Sequence, residues 1–189
     1  MRRPLSIMRV DADAGWVEFL YKDVGTGTHA LAGRSPGETV NMMGSEVPFP
    51  FTTRPSGILV PGMPAAVIAA MPLLEDWGIP SRLASLQGYP GCHEGYITDL
   101  ARHWLDALGP AERAEVSLFA CGPHPMLAAT AALAREYDLP CQVSLEEYMA
   151  CAVGGCAGCT VRIKLPDGPA MKRVCVDGPV FDAQVVDWG

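Results

Sequence analysis

The 189-residue chain is 49% hydrophobic, 19% charged and 7% aromatic, the composition of a folded globular protein rather than a disordered one, and no run approaches the ~20 apolar residues of a membrane span. A formal charge of −7 disfavours partners that need Lys and Arg to neutralise phosphate, so neither nucleic acid nor an anionic membrane is expected. The basic start Met1-Arg2-Arg3-Pro4 is not followed by the ~7–15-residue apolar core of a signal peptide, so a cytoplasmic location is expected, and seven cysteines there argue against a disulfide framework.

In chain order, Trp16 to Lys22 alternates as a strand and ends at a glycine-rich turn, Gly25-Thr26-Gly27-Thr28. Ser35-Pro36-Gly37-Glu38 is a second turn, Thr39 to Met43 a short strand, and the prolines from Pro48 to Pro55 forbid long regular structure. The opening third therefore reads as β, with a boundary near Arg54. Beyond it the period changes. Ile58-Leu59-Val60 predicts a buried strand and Ala65 to Trp77 a helix stopped at Gly78. Strands at Ser81–Leu86 and Val116–Ala120, alternating with helices at Tyr96–Leu108 and Pro125–Tyr137, predict a small parallel sheet flanked by helices. After Pro140 come Cys141 to Leu145, a cysteine-rich loop, and a hairpin from Thr160 to Val176 around Pro166-Asp167-Gly168. The predicted architecture is mixed α+β: a partial antiparallel β-barrel over residues 1–54, a small parallel α/β nucleotide-binding-like domain over 55–140, and a C-terminal metal module over 141–189.

Four of the seven cysteines crowd the last quarter, as Cys151, Cys156, Cys159 and Cys175 with spacing C-x4-C-x2-C-x15-C. Three ligands in one loop and a distant fourth is the plant-type 2Fe-2S arrangement. Gly154, Gly155 and Gly158 let backbone N–H groups approach the sulfurs, and Ala152 and Ala157 leave room for a cluster. Structural zinc also takes four thiolates but uses two separated knuckles, where this chain has one. Cys92, Cys121 and Cys141 lack such spacing and read as buried thiols. Cys121 differs in opening Cys121-Gly122-Pro123 between a strand and a helix, the edge where open parallel sheets bind ligands.

The segment Val143-Ser144-Leu145-Glu146-Glu147-Tyr148-Met149-Ala150-Cys151, the cysteine loop, and Lys172-Arg173-Val174-Cys175-Val176-Asp177-Gly178-Pro179-Val180-Phe181-Asp182 carry a resemblance to a family. On these residues the chain resembles the electron-transfer subunits of dihydroorotate dehydrogenase B, in the ferredoxin-NADP reductase superfamily. The resemblance implies a 2Fe-2S cluster, FAD and a link to NAD as cofactors. Arg3-Pro4-Leu5-Ser6 is similar to the family's flavin motif, Leu20-Tyr21-Lys22 to its second flavin-contacting strand, and Gly27-Thr28 to its pyrophosphate turn. Ala120-Cys121-Gly122-Pro123-His124-Pro125-Met126 resembles the strand-end motif beside the nicotinamide, and Gly95 to Asp99 the segment before the helix that precedes it.

Two features depart from the family pattern. Its barrel strands precede the flavin motif, which here begins at Arg3, so a closed barrel is not expected and exposed strand edges call for a partner chain, another copy or an altered fold. The phosphate-binding loop is replaced by Pro61-Gly62-Met63-Pro64-Ala65, whose prolines remove N–H donors and argue against direct nicotinamide binding.

The resemblance implies electron transfer, in pyrimidine biosynthesis, between a nicotinamide cofactor and a dihydroorotate dehydrogenase-like catalytic subunit, with no catalytic residue of its own. The alternative is a flavin-less, ferredoxin-like carrier or structural subunit of a larger redox complex. Lys172 and Arg173 are positioned to offset a cluster's charge or to be ordinary solvated residues, and Glu146 and Glu147 to cap or solvate the loop's approach. His29, His93, His103 and His124 lack partners at diagnostic spacing.

Overall fold

A computed structural model describes residues 7–11, 13–19, 23, 25–39, 58–61, 76, 78 and 80–189. Its first elements are an antiparallel hairpin, β1 (Ile7–Asp11) and β2 (Trp16–Phe19), followed by helix α1 (Thr26–Ala32). Here the structure corrects the sequence reading, because Gly25-Thr26-Gly27-Thr28 is the start of a helix and not a free turn. Gly25 is the extended N-cap, its N–H donates to Thr28 Oγ1 at 3.1 Å, and the following His29-Ala30-Leu31-Ala32 favours continued helix over a return to strand. The turn at Ser35–Glu38 forms as expected, closed by Glu38 N–H on the Ser35 carbonyl at 3.2 Å. The strand expected at Thr39–Met43, the boundary near Arg54 and nearly all of the helix expected at Ala65–Trp77 lie outside the described residues.

Two three-stranded sheets follow. In the first, β3 (Ile58–Pro61), β4 (Ser81–Ser85) and β5 (His93–Glu94) run parallel. In the second, β6 (Leu118–Cys121) runs parallel to β7 (Cys141–Ser144), and β10 (Val180–Asp182) adds antiparallel to β7's other edge. The single parallel sheet anticipated from the alternating pattern is thus two sheets among the described residues, and none closes into a barrel. Helix α2 (Ile97–Ala107) starts where Asp99 accepts the Tyr96 N–H at 3.0 Å, and α4 (His124–Glu136) follows Pro123. The short helix α3 (Pro110–Ala114) was not anticipated, and it moves the start of β6 from Val116 to Leu118.

The C-terminal hairpin pairs β8 (Thr160–Leu165) with β9 (Gly168–Arg173) in full register, from Thr160 opposite Arg173 to Leu165 opposite Gly168. It ends at Arg173 rather than Val176, because 174–177 turn into the short helix α5 (Val174–Asp177). One hydrophobic core joins these parts: Leu127, Ala131 and Ala134 of α4, Cys141 and Val143 of β7, then Cys159, Ile163, Val174, Ala183 and Val186. Residues on both sides of Pro140 therefore share a single buried interior. Among the described residues no helix is long and apolar enough to cross a membrane.

Candidate metal centre

The hairpin explains the spacing of the last two cysteines. A six-residue strand, a two-residue turn, a second six-residue strand and Val174 make up the fifteen residues between Cys159 and Cys175. Cys159 and Cys175 thus flank the hairpin's open end, where Val174 N–H bonds the Cys159 carbonyl at 2.9 Å and Cys175 N–H points at Cys159 Sγ at 3.4 Å. The side chains of Cys159 and Cys175 meet there.

The other two cysteines close a second pair. Cys151 and Cys156 meet side chain to side chain, and Cys175 also feels the charge of Cys151, so the two pairs are neighbours. The loop turns tightly through left-handed backbone at Ala152 (φ 58°), Gly154 (φ 79°) and Ala157 (φ 52°). This turns N–H groups toward sulfur: Val153 to Cys151 at 3.5 Å and Gly158 to Cys156 at 3.4 Å. N–H bonds from Val153, then Cys156, with the Cys156 side chain and Gly155 adding, lower the Cys151 thiol to about 6. Desolvation, and then the Cys159 side chain, raise the Cys175 thiol.

A 2Fe-2S cluster takes two thiolates at each iron, which is the arrangement of two adjacent pairs that these four cysteines make. The donor chemistry, the pairing and the N–H groups aimed at sulfur fit the cluster. The centre also lies at the surface: Cys156 is exposed, Cys151 and Cys175 are half-buried, and only Cys159 is buried.

The candidate residues Cys121, Gly122 and Pro123 lie at the C-terminal edge of β6 and β7. Cys121 is the last residue of β6, and Gly122 follows with φ 157°, a backbone conformation that residues with a Cβ rarely adopt, beside the end of the Met126 side chain. The Cys121 thiol faces Glu146 Oε1 at 3.8 Å, and desolvation followed by that carboxylate's charge holds it above its ordinary value. Glu146, expected only to cap or solvate, is therefore a partner of Cys121, a long-range contact without a local signal. Its segment, 145–150, leads directly from β7 into the cysteine loop.

The remaining sequence candidates are distributed as follows. Gly27 and Thr28 lie in the first turn of α1, where Thr28 Oγ1 also donates to Asp23 Oδ1 at 3.3 Å. Arg3, Pro4, Leu5, Ser6, Leu20, Tyr21 and Lys22 lie outside the described residues. Cys141 is buried and its thiol is pushed up to about 12 by desolvation and Asp182, while Cys92 is half-buried. His124 packs edge-on to Trp188, with ring centroids 5.2 Å apart. Arg173, one of the two cations considered beside the cluster, contacts the cysteine loop directly.

Residues 146–187 match the family model of the iron-sulfur cluster binding domain of dihydroorotate dehydrogenase B. The chain is similar to the dihydroorotate dehydrogenase B (NAD(+)) electron transfer subunit of Desulforamulus reducens, at 29% identity over 100% of this chain and 80% of the relative. The subunit from Bacillus caldolyticus is 33% identical over 97% of this chain and 79% of its own length, and that from Geobacillus sp. strain WCH70 is 31% identical over the same shares. Among solved structures, a chain of the NADH-dependent reduced ferredoxin-NADP oxidoreductase shares the fold, with a TM-score of 0.71 over 98% of this chain and 74% of that chain at 21% identity. With relatives above 30% identity aligned along nearly its whole length, the chain belongs to the family of dihydroorotate dehydrogenase B electron transfer subunits.

Proposed function

We propose that this chain relays electrons through a 2Fe-2S cluster held by Cys151, Cys156, Cys159 and Cys175, between a nicotinamide cofactor and a dihydroorotate dehydrogenase-like catalytic subunit. The observation that carries the reading is the closure of the four thiols into two adjacent pairs, one in the loop and one across the hairpin end. A cluster supplies single-electron transfer, and a flavin would split the two electrons of a hydride ahead of it. The chain's own residues orient the thiolates, supply N–H donors to sulfur, and leave Cys156 exposed toward a partner.

In this reading residues 1–54 form a partial barrel that holds FAD through Arg3-Pro4-Leu5-Ser6, Leu20-Tyr21-Lys22, Gly27 and Thr28. Residues 55–140 form the reductase-like part, with Cys121, Gly122 and Pro123 at its ligand edge, and 141–189 carry the cluster on a core shared with α4. The parallel pairing of β6 with β7 supports placing a ligand at that edge. A reducing compartment, the cytoplasm, suits a surface cluster on thiolates.

Iron, acid-labile sulfide and released flavin, each quantified per chain on protein purified without air, test the assignment. Two irons, two sulfides and one FAD are expected. Two irons without flavin would replace the flavin relay by a ferredoxin-like carrier or structural subunit, and the absence of iron and sulfide would overturn the cluster reading.

A further inference from the structure

The cysteine loop and the segment of the distant ligand are tied by one side chain. Arg173 ends β9, two residues before Cys175. Its Nη1 donates to the carbonyl of Gly154, inside the loop, at 3.1 Å. Its Nε and its own backbone N–H both donate to Asp177 Oδ2, at 3.1 and 2.7 Å. The loop is seated closely on this segment, since a Cβ on Gly154 would fall 2.7 Å from Val176 Cγ2 and 3.1 Å from Arg173 Nη1. A fork of donors makes both contacts at once, which the single ammonium of lysine does poorly.

The same guanidinium carries a permanent charge. Its neighbours include the sulfurs of Cys175 and Cys159, with Asp177 as the nearer counter-charge. When a donor passes one electron into a four-thiolate cluster, the site becomes one charge more negative. A fixed cation lowers the energy of that reduced state more than that of the oxidised state, and a fixed anion does the reverse.

We propose that Arg173 is a positioning residue of the cluster site: it locks the Cys151–Cys159 loop onto the Cys175 segment and biases the cluster toward its reduced state, with Asp177 setting how much of its charge is felt. The inference rests on the assignment of the cluster to these four cysteines. It separates two contributions that a purely structural contact would not. Arg173→Gln removes lock and charge together, Arg173→Lys keeps the charge and loosens the lock, and Asp177→Asn removes the counter-charge while keeping an acceptor for the Arg173 N–H.

The test uses the full-length chain, loaded with iron and sulfide without air. Iron and sulfide per chain, the rate of iron loss to a chelator, and the cluster midpoint potential from a redox titration followed by visible absorbance are measured for each variant. Arg173→Gln is expected to lower the potential and Asp177→Asn to raise it. Arg173→Lys is expected to stay near the wild-type potential while losing iron several-fold faster. Should Arg173→Gln fail to hold iron, the rise in Asp177→Asn and the chelator sensitivity of Arg173→Lys decide. Potentials unmoved in fully loaded variants, or shifts of one sign in both charge-removing variants, overturn this inference alone. A wild-type chain that takes up no iron and sulfide overturns the cluster assignment and this inference with it.

Discussion

The backbone N–H of Cys175 points at the sulfur of Cys159 at 3.4 Å, although fifteen residues separate them in sequence. The register of β8 and β9 makes them neighbours. A hairpin with a two-residue turn is a short-range device, so half of the site is built by local folding. The other half depends on the loop finding the hairpin end.

Gly154 and Gly155 are adjacent but not equivalent. Gly154 has φ 79° and no space for a Cβ, whereas a Cβ on Gly155 meets nothing within 4 Å. Gly154→Ala is expected to lose most of its iron after reconstitution, and Gly155→Ala to retain it. Equal retention in the two variants, measured as iron per chain, would show that the loop is not seated on Val176 and Arg173.

In the cluster-free protein Cys151 is expected to react ahead of Cys175. The Cys151 value near 6 leaves it protonated and unreactive at lower pH and a thiolate at neutral pH. Iodoacetamide at pH 7 is expected to modify Cys151 ahead of Cys175, whose thiol is raised, with labelling falling as pH drops through about 6. Cys141, buried and pushed up to about 12, should stay unlabelled until the chain unfolds. Peptide mapping by mass spectrometry reads the order directly.

Cysteines of the same site differ in what they contribute to the fold. Cys156→Ser and Cys159→Ser are both expected to abolish the cluster. In the cluster-free chain, however, the exposed Cys156 is worth less than about 0.5 kcal/mol. Cys159, 3% exposed in the core, is expected to cost about 1–3 kcal/mol when a hydroxyl replaces it. Urea denaturation of the two variants distinguishes them, and equal midpoints would contradict the shared core.

Leu127 of α4 is 1% exposed and belongs to the same buried cluster as Cys159 and Val174. Leu127→Ala is expected to destabilise the chain by about 2–5 kcal/mol. Because the interior is continuous, helical circular dichroism and cluster absorbance should be lost together on heating. Two separate transitions would mean that the cluster module unfolds independently of α4.

Much of this was legible because its signals are local. The apolar period of Ile97–Ala107 and His124–Glu136 marked two helices to within a residue or two, Pro166-Asp167-Gly168 marked the hairpin turn, and cysteine spacing brought out the four thiols. What escaped was non-local or contrary to residue preference. Ala152 and Ala157 adopt positive φ although alanine has no liking for it, so their geometry is imposed by the loop around them. The contact between Cys121 and Glu146 spans twenty-five residues, and the return of β10 to β7 places strands from distant parts of the chain side by side. Helix α1 was misread because two glycines outweighed the run that follows them.

The pairing of β10 with β7 bears on how this metal element can be handled. Ala183, a helical turn and one strand after the last cysteine, is fully enclosed beside Cys141, and its N–H bonds the Cys141 carbonyl at 2.9 Å. Cutting the chain at Pro140 would strip β6 and α4 from β7 and open that interior to water. The iron-binding segment is thus no detachable cassette: a graft onto another carrier protein would have to bring the β6–α4–β7 scaffold with it, and a shortened C-terminus would be felt at the opposite side of the sheet.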